Sequence, residues 1–336
     1  MPVLRMNQAI CEALAHEMRA DPSVVILGED VGEAGGVFKA TEGLLGEFGP
    51  MRVRDTPISE AAILGAAVGA AMAGMRPVAE IMFVEFFGVA LDQIVTQAAK
   101  MCYLSAGKFS VPLVVRASVG AGLGFGAQHS QTLETWFFNA PGLKVASPSG
   151  PQSAYRLLRA AIRDPSPVVV LEPRALYGVR EDFDPSTVAP DRLGLARRVR
   201  AGDAVTVVAL GQMVRVAAAA AEQVADRWSA ELLDLETLLP WDRRAVLESV
   251  KRTGRLIVVE ENPYTGGWGA DVVAHVVEKA WPSLKAPPIR MTCPDTPVPF
   301  AAGLERRYLP SQGAIEKQIE ALCTTGRALA PWWEAH

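Results

Sequence analysis

Two short strings in this chain hold side chains that can move protons. In Asp55-Thr56-Pro57-Ile58-Ser59-Glu60, Pro57 and Ser59 form a helix entry, with Ser59 as N-cap and Glu60 in the first turn. A carboxylate there complements the helix dipole. If shielded from water, its pKa would also rise towards the range of a general acid–base. The second string, Ala127-Gln128-His129-Ser130-Gln131, follows a glycine-rich run, Gly120 to Gly126. The chain has four histidines; His16 and His275 fall within helical patterns and His336 is terminal. His129 is read either as a structural histidine or as a site residue. Its place beyond the C-terminal end of a strand, where open α/β sheets bind ligands, favours the site.

The glycine run itself loosely fits a dinucleotide fingerprint, as Gly122-x-Gly124-x-x-Ala127. That fingerprint needs a helix opening at the glycines and an acid after the next strand to hold the ribose. The next strand ends Val145-Ala146-Ser147-Pro148, without an acid. An NAD-binding oxidoreductase is therefore disfavoured, and the run reads as a flexible loop brought close to a ligand or partner.

The elements that position these strings alternate between strand and helix. Strands are expected at Val24–Leu27, Arg52–Arg54, Val78–Ile81, Leu113–Arg116, Lys144–Ala146 and Val168–Leu171. Leu91, Ile94, Val95, Ala98 and Cys102 are spaced for one buried helical face. The stretch from Glu172 to Asp203 breaks the rhythm with Pro173, Pro185 and Pro190 and reads as a linker. Its Arg197-Arg198-Val199-Arg200 run reads as solvated or salt-bridged surface. A second alternation follows: strands at Ala204–Leu210, Leu232–Leu235, Leu256–Val259 and Ile289–Met291, and helices at Val214–Arg227, Arg243–Arg252, Ala270–Lys279 and Gln312–Cys323. Short apolar strands between amphipathic helices predict two consecutive three-layer α/β domains, over residues 1–190 and 191–336. The helix expected over Ala61–Met75 carries Gly65-x-x-x-Gly69 and few large side chains, a surface for close packing, expected at a subunit contact.

Composition excludes several classes. With 336 residues, 50% of them apolar and 21% charged, the chain can bury a core without staples. The net charge of −4 argues against nucleic-acid binding. The four cysteines, Cys11, Cys102, Cys293 and Cys323, form no CxxC pair and read as buried, reduced thiols. No signal peptide or membrane-length apolar run is evident, so a soluble, cytoplasmic protein is expected.

Longer motifs carry a family resemblance. Asp55–Glu60, Gly69-Ala-Ala-Met-Ala-Gly74-Met-Arg-Pro77, Gln128–Gln131, Pro141–Val145 and Ala161-Ile162-Arg163-Asp164-Pro165 stand in order. Together they resemble the beta subunit of the decarboxylating component of 2-oxoacid dehydrogenase complexes, and the closely similar beta subunit of acetoin dehydrogenases. The resemblance runs in one register from Asn7 to Leu309. It implies a pyrimidine-binding domain of thiamine-diphosphate enzymes followed by a transketolase C-terminal domain. It also implies an alpha partner, in an assembly of two alpha and two beta chains, that holds magnesium and diphosphate through a Gly-Asp-Gly motif. This chain has no such motif; its nearest string is Gly202-Asp203-Ala204.

By motif position, Glu60 matches the glutamate that hydrogen-bonds the cofactor's pyrimidine N1′, and Phe86 the aromatic packed on that ring. Glu29 matches an acid near the cofactor. His129 matches a catalytic histidine, assigned to acyl transfer to a lipoyl arm. A monovalent cation site, with potassium as its expected ion, would map to Leu113, Ala161, Ile162, Asp164 and Ser166. The implied reaction is oxidative decarboxylation of a 2-oxoacid, with acyl transfer to lipoamide on an acyltransferase component. Acetoin cleavage is the alternative, since Met82–Gly88 and Thr296-Pro297-Val298-Pro299-Phe300 look as much like the acetoin enzymes. A non-catalytic interaction module is disfavoured by Glu60 and His129 standing together.

Overall fold

A computed structural model describes residues 3–190 and 192–334. Asp191, the expected start of the second domain, lies outside the described residues, as does His336. The chain divides into two compact units. The first takes the chain up to Val119 and Trp136–Leu193; the second takes Gly120–Thr135 and the chain from Gly194 onwards.

In the first unit, β1 (Val3–Arg5), α1 (Met6–Ala20), β2 (Val24–Gly28), α2 (Leu44–Phe48), β3 (Val53–Asp55), α3 (Glu60–Met72), β4 (Arg76–Phe83), α4 (Ala99–Leu104) and β5 (Val114–Val119) follow in order. Between β5 and β6 (Lys144–Ala146) lies the short α5 (Glu134–Phe138), and α6 (Pro151–Arg163), β7 (Val168–Pro173) and β8 (Arg180–Asp182) complete the unit. Its main strands lie in the order β6-β7-β5-β4-β2-β3, every pairing parallel. β5 and β7 are buried at every position, as strands covered on both faces must be. On one face α1 sets Met6, Ile10, Ala13 and Leu14 against Leu158 and Ile162 of α6 in a single apolar cluster.

The second unit holds β9 (Arg197–Arg200), β10 (Val205–Ala209), α7 (Gln212–Gln223), β11 (Ala230–Asp234), β12 (Thr237–Leu239), α8 (Arg243–Thr253), β13 (Leu256–Pro263), α9 (Gly269–Ala280), β14 (Ile289–Cys293), α10 (Ala302–Tyr308) and α11 (Gln312–Thr325). Its five-stranded sheet runs β14-β13-β10-β11-β9, with β9 antiparallel to β11. Strand alternation separates the faces. Val205 and Val207 join the cluster of α7 and α11, while Thr206 turns to α8 and bonds Ser249 at 2.6 Å and Thr253 at 2.8 Å.

Three local expectations need correction. The stretch Asp92–Ala98 is π-helical, and its wider turn shifts the apolar face. Ile94, Ala98 and Ala99 are buried, but Cys102 rotates into solvent and Cys11 is only half-buried, so the thiols are not uniformly buried. The expected linker contains β8 and β9. The arginine run is the edge strand β9, in which Arg197 pairs with buried Asp234 and Glu236 and Arg198 with buried Glu231. Among the described residues no helix is long and apolar enough to cross a membrane.

One ion group crosses the first sheet. Arg116 of β5, 1% exposed, donates to Glu80 of β4 at 2.7 Å and to both oxygens of Glu172 of β7 at 2.7 and 2.9 Å. Burial opposes the arginine's charge, but Glu172 and Glu80 outweigh it and hold its pKa above the ordinary value. Arg116→Met would leave two buried carboxylates uncompensated. It is expected to cost about 3–5 kcal/mol in urea unfolding. Adding Glu172→Gln should recover part of that loss, because the partners couple. Strictly additive losses in the double variant would contradict the coupling.

Candidate active site

Glu29, Glu60 and Phe86 all lie just beyond the C-terminal ends of adjacent parallel strands, β2, β3 and β4. Open α/β sheets bind ligands at this edge. Glu60 is the first residue of α3 and is half-buried. Ser59 takes the N-cap position, but its hydroxyl donates to the Pro57 carbonyl at 3.1 Å and does not cap the helix, a correction to the sequence reading. The Ser59 backbone N–H instead acts on the Glu29 carboxylate, favouring its charged form. The structure thus brings the two acids together at one helix start. Burial raises the Glu29 pKa, the charge of Glu60 raises it further, and the Ser59 N–H partly offsets both.

The chain that carries Glu29 is fixed by an acid not singled out from the sequence. Asp55, at the end of β3, accepts from the Gly32 N–H at 2.6 Å and the Glu33 N–H at 3.4 Å. A Cβ at Gly32 would stand 2.5 Å from that carboxylate, so only glycine fits.

Phe86 lies in a 3₁₀ segment, Val84–Val89, after β4 and meets Phe83 edge-to-face at 5.5 Å. Phe83 meets Phe38 at 6.1 Å, and Phe38 stacks on Tyr177 at 4.8 Å. The Tyr177 hydroxyl donates to Glu172 at 2.7 Å. Arg174, buried, lies over the Phe83 ring at 4.8 Å. Phe86 therefore ends an aromatic series that begins at the buried ion group.

His129 belongs to the second unit and is half-buried in a turn, with α5 starting only at Glu134. No helix opens within the glycine run, which removes the dinucleotide reading. Nor is the run a free loop. Ala121 N–H donates to Glu261, and Gly122 and Gly124 N–H donate to Glu305. Below it, Asn262 donates to the Thr132 carbonyl at 2.9 Å and to Glu134 at 2.8 Å. Burial raises the Glu134 pKa, and the Asn262 hydrogen bond partly opposes it. Glu261, Asn262 and Glu305 stand far away in sequence, and no local pattern marks them.

The candidate cation set gathers at the C-terminal end of α6. Arg76 Nη1 donates to the Ile162 carbonyl at 2.8 Å and the Asp164 carbonyl at 3.3 Å. The Leu113 carbonyl accepts from Val168 N–H at 2.8 Å and that of Ala161 from Asp164 N–H at 3.2 Å. The Asp164 carboxylate takes the Ser166 N–H at 2.9 Å and Lys144 Nζ at 2.5 Å. Helix-end carbonyls attract cations, and two side-chain cations already face this one.

Comparison with known proteins agrees with the fold. The family "Transketolase, pyrimidine binding domain" matches residues 3–180, and "Transketolase, C-terminal domain" matches 194–315. A split-gene transketolase, solved as an inactive beta4 tetramer, superposes with a TM-score of 0.78 over 96% of this chain and 99% of its own, at 24% identity. Fold and matches define a protein of two transketolase-type domains. The pyruvate dehydrogenase E1 subunit beta-1 of Arabidopsis thaliana is 44% identical over 326 residues, 95% of this chain and 89% of the relative. The beta subunit of acetoin:2,6-dichlorophenolindophenol oxidoreductase of Cupriavidus necator is 46% identical, over 93% of this chain and 95% of the relative. The chain belongs to the family of these dehydrogenase beta subunits.

The acid pair has a pH signature. With its pKa raised above the ordinary 4.5, Glu29 contributes stability that is fully present below that value and is lost as pH rises through the raised one. Glu29→Gln should therefore flatten the fall in urea stability as pH rises above 4.5. An unchanged slope would show that folding does not raise the Glu29 pKa.

Proposed function

We propose that this chain is the beta subunit of a thiamine-diphosphate-dependent dehydrogenase that oxidatively decarboxylates a 2-oxoacid of the pyruvate type and passes the acyl group to lipoamide. The observation that carries this reading is the gathering of Glu29, Glu60 and Phe86 beyond three adjacent strands of a chain in this family. Acetoin cleavage with the same cofactor is the second reading, favoured by the relatives named for acetoin. The alpha partner, which by the family pattern carries the Gly-Asp-Gly motif, supplies magnesium and diphosphate binding in an assembly of two alpha and two beta chains. The exposed side of α3, with Ala62, Ala66 and Gly69, is the surface assigned to a subunit contact. Residues 1–190 serve as the pyrimidine-binding domain and 191–336 as the C-terminal domain.

The residues present suit an aminopyrimidine. A partly open carboxylate, an aromatic face and the buried Thr56 hydroxyl, whose oxygen has no hydrogen-bond partner among the described residues, come from neighbouring loops. When bound, thiamine diphosphate supplies the nucleophilic carbon and the electron sink for decarboxylation. Glu60 would exchange a proton at the pyrimidine N1′. Phe86 would pack on the ring and keep water from that proton. His129 would donate a proton to the departing dithiolane sulfur or orient that ring by a hydrogen bond.

The cation set belongs to the same reading. Each carbonyl of Leu113, Ala161, Ile162 and Asp164 has a second lone pair, and Ser166 closes the turn, so the set can still take potassium.

Three experiments test this reading. In the complex reconstituted with its alpha partner, Glu60→Gln should lower activity with an artificial electron acceptor and with a lipoyl domain alike, by roughly 10²–10⁴. His129→Ala should weaken lipoyl acylation far more than artificial-acceptor turnover; equal losses would move His129 to an earlier step. Replacing potassium by choline at constant ionic strength should lower the melting temperature by about 5 °C if the site is well filled. An unchanged midpoint would mean that Arg76 and Lys144 satisfy the carbonyls alone.

A further inference from the structure

The glycine run before His129 is held by acids to which the proposed reaction gives no part. Gly120, Gly122, Gly124 and Gly126 have φ of 93°, 109°, 74° and 70°. Left-handed glycines alternating with ordinary residues turn their N–H groups into a common hollow, of the kind that cradles anions elsewhere. Here the anions are the chain's own side chains. Glu305 of α10, 3% exposed, accepts Gly122 N–H at 2.8 Å on one oxygen, and Gly124 N–H at 3.2 and 3.0 Å on its two oxygens. Glu261, at the end of β13, accepts Ala121 N–H at 2.6 Å, while Gln212 of α7 donates to its other oxygen.

The rest of the segment is closed by its own backbone and by β13. Gly120 N–H donates to the Gln131 carbonyl at 3.0 Å, and His129 N–H to that of Gly126 at 3.4 Å. Thr132 Oγ1 donates to the Glu261 carbonyl at 3.1 Å. A Cβ at Gly126 would lie 3.2 Å from the Phe300 ring, so the run also packs tightly against the approach to α10.

We infer that Glu305 is a positioning residue for His129. Its carboxylate fills the glycine hollow and so fixes the backbone from which the imidazole meets the lipoyl arm. The functional part of this inference rests on the acyl-transfer reading of His129; the clamp itself rests on the hydrogen bonds. Glu305→Gln is nearly isosteric, but it presents an NH₂ group where a carboxylate oxygen accepts.

The test uses the complex reconstituted with the alpha partner. In Glu305→Gln, hydrogen exchange across residues 120–131 should accelerate at least ~tenfold. Lipoyl-domain acylation should fall by roughly tenfold while artificial-acceptor turnover stays within about twofold. Formate added to Glu305→Ala should restore part of both the protection and the acylation by refilling the hollow. Unchanged exchange in Glu305→Gln, or equal losses in the two assays, would overturn the inference. If the segment loosens but His129→Ala acylates lipoyl domains normally, the clamp stands and only the role given to His129 falls.

Discussion

A buried guanidinium has to be paired, and in the first unit that requirement fixes the sheet. Arg116 lies on the central strand β5, opposite Glu80 of β4 in register, with Glu172 supplied by β7 on the other side. A one-residue slip of β5 would carry Arg116 to the opposite face and strand two carboxylates in a nearly dry interior. The ion group therefore selects one register among those that the Val-rich strands would accept equally. Its influence extends beyond the sheet. Glu172 also holds the Tyr177 hydroxyl, and burial with the neighbouring carboxylate keeps that phenol protonated as a donor. Through the stacked Phe38 and the edge of Phe83, the same constraint reaches Phe86.

The loops at the strand ends meet a different constraint. Their backbone N–H groups have left the sheet ladder and need acceptors. The chain supplies acids in both units: Asp55 for Gly32 and Glu33, and Glu261 with Glu305 for the run at Gly120–Gly124. Glycine recurs there for two physical reasons. Left-handed φ angles favour it at Gly122 and Gly124, and a carboxylate too close for any Cβ demands it at Gly32. Charge-assisted hydrogen bonds of this kind are about twice as strong as neutral ones, so such a loop can hold one shape without regular structure.

This explains which features were legible in the sequence. Strands such as Lys144–Ala146 and Val168–Pro173, and helices such as Arg243–Thr253, follow from local periodicity, because burial on two faces or one writes itself into neighbouring residues. Glu29, Glu60 and Phe86 lie in ordered motifs, but the motifs do not show that the charge of Glu60 acts on Glu29 at one helix start. What local pattern misses is long range. Glu305 lies 183 residues from Gly122 and Glu261 lies 140 from Ala121, so the glycine run read as a loose loop. The π-helical turn at Asp92–Ala98 inserts a phase shift into an α-helical spacing, and Cys102 moved from the buried face to solvent with it. The arginines of β9 read as solvated or salt-bridged surface, which they are, but their carboxylate partners, on β11 and beyond, had no local signal.

The placement of His129 has a consequence for how the chemistry can vary. In sequence it follows β5 of the first sheet, yet residues 120–135 pack with the second unit. The acids Glu29 and Glu60 depend on β2, β3 and Asp55, all in the first unit. The backbone of the histidine segment depends on β13, α7 and α10. The acid pair and the histidine segment thus rest on different units of the chain. A substitution in α10 can loosen the histidine segment without touching the Arg116 ion group. The Arg116 group cannot be relaxed in the same way, because any change there is transmitted through Tyr177 and Phe38 to Phe83, the ring on which Phe86 rests.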